Sequence, residues 1–283
     1  MAPIVFIHGV GDAPGPGADE ARSAWIDALA APAPSRFDTW LRSNSAFAYY
    51  QDWDWYVGDD RAEQTATSTW STLRRTIGDV VDEAQSAYDE VTPERLADLA
   101  EVANRWSDSD RVVTAGNQAA DRVTAFNLWQ VPAFLEDLDG TRTVVLDRFA
   151  AAVDDDTRVV IAHSMGSIVA FEAAHTTGIE LDALITLGSP LGVEGYVRRR
   201  LSTPDRVPPG IGRWLNIAHP NEPVALVPEL APLFTNEDAS QVIEDLVLET
   251  STPWHGIDTY LRHDDVRRAI WNVLEPLVPG RAD

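Results

Sequence analysis

The apolar run Arg158-Val-Val-Ile-Ala162 ends in His163-Ser-Met-Gly166 and passes without a spacer into a helix-forming stretch, Met165 to Thr176. A β-branched run of this length reads as a buried strand, and the periodic segment after it as a helix. Joining the two with no loop demands a sharp turn. Such a turn forces its middle residue into strained backbone angles and lifts that side chain clear of the sheet. It also brings two backbones close together, so the positions two before and two after must be small; here they are Ala162 and Gly166. Glycine is the commoner residue at the first of these, and Ala162 keeps the size requirement. Ser164 stands at the strained position and is the candidate nucleophile. The plain alternative is a buried serine in a tight strand-to-helix turn.

The rest of the chain fits around this unit. Ile4-Val-Phe-Ile7 reads as a strand, followed by the turn His8-Gly-Val-Gly-Asp12 and a Pro/Gly-rich loop over 13–17. Ala18 to Ala30 reads as a helix with Trp25, Ile26 and Leu29 on one side, and Ala46-Phe-Ala-Tyr-Tyr50 as a second strand. From 51 to 141 helical spacing takes over (Leu73, Ile77, Val80 and Val81, then Leu96, Leu99, Val102 and Trp106), which marks a helical insertion acting as a cap or lid. Its tryptophans fill the cap's own core or line an apolar acyl pocket. Further on, a helix is expected over 143–153, strands at Ala183-Leu-Ile-Thr-Leu187 and Trp214-Leu-Asn-Ile-Ala218, and an amphipathic helix from Asp264 to Leu277; Val242 to Leu248 is ambiguous. Strands alternating with helices predict the α/β class: one domain over 1–283, a mostly parallel sheet flanked by helices, with the insertion inside it.

Four segments, Val5-Phe-Ile-His-Gly-Val-Gly-Asp12, Val160-Ile-Ala-His-Ser-Met-Gly166, Thr186-Leu-Gly-Ser-Pro190 and His255-Gly-Ile-Asp-Thr-Tyr260, resemble the α/β-hydrolase superfamily, in particular its lipase-like serine esterases. The likeness covers the sheet and not the insertion. It implies a chain order of nucleophile, acid, histidine. His255, on a Pro- and Gly-containing loop with Tyr260 a few residues on, is the expected base; His263, beside Asp264 and Asp265, reads as a helix-start residue and is the second candidate. His163 precedes the nucleophile and is expected to point elsewhere. The acid should follow the strand ending at Ala218, where His219-Pro-Asn-Glu-Pro-Val224 supplies Glu222; Asp205 and Asp258 are its rivals. Either type of carboxylate can accept the imidazole Nδ1–H. The resemblance implies an oxyanion hole built from the backbone N–H groups of Met165 and Val10, with glycines letting the early loop approach the substrate. Because that loop starts so early in the chain, the strands that usually precede it are expected to be missing. Gly188-Ser-Pro-Leu-Gly192 is expected to border the site, with Ser189 not a nucleophile.

Composition narrows the partners. The net charge is −23, from 45 acidic and 22 basic residues, every one of the latter an arginine. Such a surface repels nucleic acid and anionic lipid, so neither is expected as a partner. There is no cysteine, which excludes disulfides, thiolate chemistry and Cys-based zinc sites. The first residues carry no basic, apolar leader pattern, and no apolar run is long enough to span a bilayer, so the expectation is a cytoplasmic protein. No cofactor is expected: Asp12, Asp52, Asp54, Asp59 and Asp60 lack a metal-ligand spacing, and without lysine there is no phosphate-binding Gly-Lys motif. The expected partner is a small-molecule acyl substrate. The expected chemistry is cleavage of a carboxylic ester or related acyl bond through an acyl-enzyme, rising with pH as the base loses its proton near an unperturbed pKa of about 6.5. Acyl transfer by the same triad, or a catalytically silent binding protein on the same fold, are the alternatives.

Overall fold

A computed structural model of the chain describes residues 2–9, 17–30, 35–50, 130–137, 140–194, 197–220, 224–225, 227–236, 241–249 and 255–279. Its frame is a six-stranded sheet in the order β2-β1-β3-β4-β5-β6, every neighbouring pair parallel. The strands are β1 Ile4–Ile7, β2 Ser45–Ala48, β3 Val159–His163, β4 Leu181–Leu187, β5 Ile211–Ala218 and β6 Val242–Val247. The helices are α1 Ala18–Ala30, α2 Ser35–Ser43, α3 Gln130–Leu135, α4 Thr141–Ala152, α5 Met165–Thr177, α6 Ile257–Arg262 and α7 Asp264–Leu274. The α/β reading therefore holds, and the ambiguous segment 242–248 is a strand.

Parity along the strands builds two cores. Ile4 and Phe6 of β1, Val159 and Ile161 of β3, and Leu215 and Ile217 of β5 face the cluster that holds α1, α2, α6 and α7. Val5 and Ile7, Val160 and Ala162, and Trp214 face the cluster that holds α3, α4 and α5. Central strands are apolar on both faces because helices cover both. Each fully buried aliphatic or aromatic side chain adds about 1.5–3 kcal/mol to folding. Helix α7 shows how sequence spacing meets this demand: Val266, Ile270 and Leu274 are buried at i, i+4 and i+8, and His263 caps its start by accepting from the Asp265 N–H at 3.3 Å. Helix α5 stops at Gly178, whose φ of 67° a glycine adopts without strain.

The strand order sets the functional edge. From β1 the chain crosses through α1 and α2 to β2 on one side. It then returns through α4 to β3 on the other side of β1 and moves outward to β4, β5 and β6. The direction reverses between β1 and β3, and in open parallel sheets the crevice at the carboxyl ends of such a pair is where ligands bind.

Residues 51–129 of the expected insertion lie outside the described residues. Its last part does not: α3 packs Val131, Ala133, Phe134 and Leu135 into the core shared with α4 and α5. Among the described residues no helix is long and apolar enough to cross a membrane.

Candidate active site

Ser164 stands between the end of β3 and the start of α5 with φ 53° and ψ −127°. Only one other described non-glycine residue, Asp137, has positive φ. A serine is held in this strained region only when the surroundings over-determine it. They do so here through both backbone flanks. The Ser164 N–H donates to the Leu187 carbonyl at 3.0 Å, tying the turn to β4. Ser167 donates to the Ser164 carbonyl through its N–H at 2.9 Å and its hydroxyl at 2.5 Å. Ser167 Oγ also lies 2.7 Å from Ser189 Oγ, and Ser189 accepts from the Leu191 N–H at 3.3 Å. Ser189 is thus a buried brace behind the turn.

The expected base is in reach of the candidate nucleophile. His255 Nε2 lies 2.8 Å from Ser164 Oγ, hydrogen-bond distance, although 91 residues separate them. His255 precedes α6, and Tyr260 of that helix anchors the loop: its ring is buried and its hydroxyl accepts from the His219 N–H at 3.4 Å. Gly188, at the end of β4 with φ 55°, makes room for both. A Cβ there would lie 3.2 Å from His255 Nδ1 and 3.1 Å from the Tyr260 ring.

His263, His175 and His8 have their own partners elsewhere. His263 is the cap of α7, as expected. His175 Nε2 lies 3.2 Å from the Arg206 carbonyl near the far end of α5. His219 is buried after β5. His8 stacks on Tyr50, with ring centroids 4.0 Å apart. Its Nε2 accepts from the Tyr50 N–H at 3.2 Å and its Nδ1 lies 2.6 Å from the Gly9 carbonyl, so the Nδ1–H tautomer satisfies both partners. The Tyr50 hydroxyl donates to the His8 carbonyl at 2.5 Å. The start of the expected oxyanion loop is thereby fixed to the end of β2.

His163 departs from expectation. Its ring does not turn away from the site's machinery. It packs 4.7 Å from the His255 ring, centroid to centroid, and its Nε2 lies 2.8 Å from the His255 carbonyl. Strand parity was the available signal: residue 163 shares the face of Val159 and Ile161, which is the face covered by α6 and α7.

Glu222 and Val10 lie outside the described residues. Their flanks do not: Gly9 follows β1, and Pro220 and Val224 follow β5, at the carboxyl edge that carries Ser164. Of the rival acids, Asp205 pairs with Arg198 at 2.8 Å and Asp258 with Arg262 at 4.0 Å, both carboxylates mostly exposed. Met165 opens α5, so its N–H is among the four that a helix leaves without an internal acceptor. Among the described residues no group of three or more His, Asp or Glu is arranged to hold a metal ion. A groove of about 610 Å³ lined by Arg22, Phe47, Tyr49 and Arg148 runs along the outer edge of β2, on the far side of β1 from Ser164.

Compared with family models, with curated proteins and with solved structures, the chain matches none of them.

Proposed function

We propose that this chain is a serine hydrolase of the α/β-hydrolase fold that cleaves a carboxylic ester or related acyl bond. One observation carries the reading: a serine strained to φ 53° at a strand-to-helix turn, with its Oγ 2.8 Å from the Nε2 of a distant histidine. A structural serine needs neither the strain nor the partner. Topology supports it further. Ser164 follows β3 and His255 follows β6, both at carboxyl ends of one parallel sheet, and Glu222 comes after β5 in the sequence.

In the proposed mechanism His255 Nε2 takes the Ser164 hydroxyl proton as Oγ attacks the acyl carbon. The imidazole Nδ1–H is held by Glu222, which orients the ring and stabilises its positive charge. The carbonyl oxygen becomes an oxyanion facing the N–H groups of Met165 and Val10. The alcohol leaves with the proton from His255; water then attacks the acyl-serine with the same base and releases the acid. Every step uses the chain's own residues.

The test is labelling with a fluorophosphonate together with hydrolysis of p-nitrophenyl esters of graded chain length. Wild-type protein should label at one site and turn over esters. Ser164→Ala should lose both, with kcat falling by about 10⁴-fold or more. Undiminished labelling of Ser164→Ala would overturn the assignment.

A further inference from the structure

We propose that His163 is a positioning residue that holds the catalytic base by its backbone, an inference that rests on the hydrolase reading above. The contact runs from His163 Nε2 to the His255 main-chain carbonyl, 2.8 Å away. A carbonyl can only accept, so Nε2 carries the proton and donates it. The held atom belongs to the base itself. Fixing the His255 carbonyl fixes the direction in which its side chain leaves the backbone, and the far end of that side chain must meet Ser164 Oγ at 2.8 Å. A drift of about 1 Å at the backbone takes that pair out of hydrogen-bond range, and misplacement of that size can cost about 100-fold in rate.

The anchor is rigid. His163 is fully buried, is the last residue of β3, and lies in ladder register with Leu187 of β4. It immediately precedes the nucleophile. One strand end therefore carries Ser164 and also the donor that positions the base. The spacing of the two reacting groups is referenced to a single element, although His255 arrives on a loop from 91 residues away. The two rings also pack against each other, 4.7 Å apart and tilted by 34°, which restricts His255 sideways as the hydrogen bond restricts it along the loop.

The experiment compares His163→Leu, which keeps bulk and removes the donor, with His163→Gln, which keeps an N–H donor at similar reach. Steady-state hydrolysis, fluorophosphonate labelling rate and thermal melting are measured on each. His163→Leu should lower kcat and the labelling rate together by about 10–100-fold with KM within about twofold, and His163→Gln should recover to within about threefold of wild type. A side chain that only fills the core would lower Tm in both variants and leave kcat of the folded fraction unchanged; that result overturns the proposal. So does a Gln variant as slow as the Leu variant at equal Tm. Nitrogen-15 NMR of the histidines in wild-type protein decides the matter if the Leu variant fails to fold. The Nε2–H form of His163 is expected, and an Nδ1–H tautomer with bare Nε2 overturns the hydrogen bond. Wild-type protein that takes up no probe would sink the hydrolase reading, whereas wild-type labelling matched by His163→Leu would sink this inference alone.

Discussion

At Gly166 a Cβ would lie 2.5 Å from the His8 carbonyl oxygen and 2.7 Å from that of Ile7. The first turn of α5 rests directly on the end of β1, so the turn that carries Ser164 lies against the backbone of Ile7 and His8. Gly166→Ala should therefore push α5 off β1. The expected cost is about 1–3 kcal/mol of overpacking, read as a lower urea midpoint at unchanged m, with labelling of Ser164 slowed as well. Ala162 is the contrasting small residue. Its methyl is buried in the cluster under α5, so Ala162→Gly should lose about 0.5–1 kcal/mol and keep most of the labelling of Ser164. A wild-type midpoint in Gly166→Ala would mean that the helix can step back freely, and the steric account of the turn would fail. Ser164, Gly166 and His255 were legible from residue types in short motifs. His163 was not, because a motif reading counts what a residue is and not which face of the strand it occupies.

Element pairing explains which parts of the fold the sequence disclosed. Strands β1, β3, β4 and β5 are buried on nearly every position, so their apolar runs are continuous. Helix α2 was missed because it spans nine residues and buries a single i, i+4 pair, Phe37 and Leu41, in too short a window for a period to emerge. Helix α6 hid for the same reason, with six residues. Strand β6 read ambiguously because Glu244 and Asp245 interrupt it. Asp245 has a task there: its carboxylate accepts from Asn216 Nδ2 and from the Leu230 and Ala231 N–H groups, each at 2.8 Å. Asn216 Oδ1 accepts from the Thr186 hydroxyl at 3.0 Å, and that hydroxyl accepts from Trp214 Nε1 at 3.0 Å. The chain from Trp214 to Asp245 crosses β4, β5 and β6 and pins 230–231, the stretch downstream of Glu222. Asn in place of Asp245 keeps one acceptor oxygen, so its NH2 faces either the Ala231 N–H at one oxygen position or the Asn216 and Leu230 donors at the other. Asp245→Asn should lose about 1–3 kcal/mol in a urea titration, and under the hydrolase reading kcat should drop because the stretch that follows the proposed acid Glu222 in sequence is released. Full stability and full kcat in this variant would show that the segment is held elsewhere.

Charge acts on the molecule as a whole. With 45 carboxylates against 22 arginines, many acidic groups have no cation to meet. The described arginines are largely engaged: Arg22 with Asp19, Arg42 with Asp27 and Asp38, Arg158 with Asp182, Arg198 with Glu194 and Asp205, Arg213 with Glu244. Arg142 reaches inward to Glu172, a fully buried carboxylate of α5. Two opposed salt effects follow. Screening weakens exposed pairs, each worth about 0–1 kcal/mol, and it also relieves repulsion among the surplus carboxylates. The surplus of −23 sums over the whole surface, whereas each pair is local, so relief should win and Tm should climb as sodium chloride rises. The same field bears on the substrate. From about 0.1 to 1 M salt the Debye length contracts from about 10 to 3 Å, so an anionic ester feels progressively less repulsion from the surface, while a neutral ester of equal acyl length feels no change. Under the hydrolase reading kcat/KM for the anionic ester should rise over this range relative to the neutral one, with kcat at saturation moving little, because the effect lies in encounter and not in acyl transfer. A ratio flat across the titration would mean that the negative surface does not reach the mouth of the site, and discrimination between charged and neutral esters would then have to be built by side chains lining the acyl pocket.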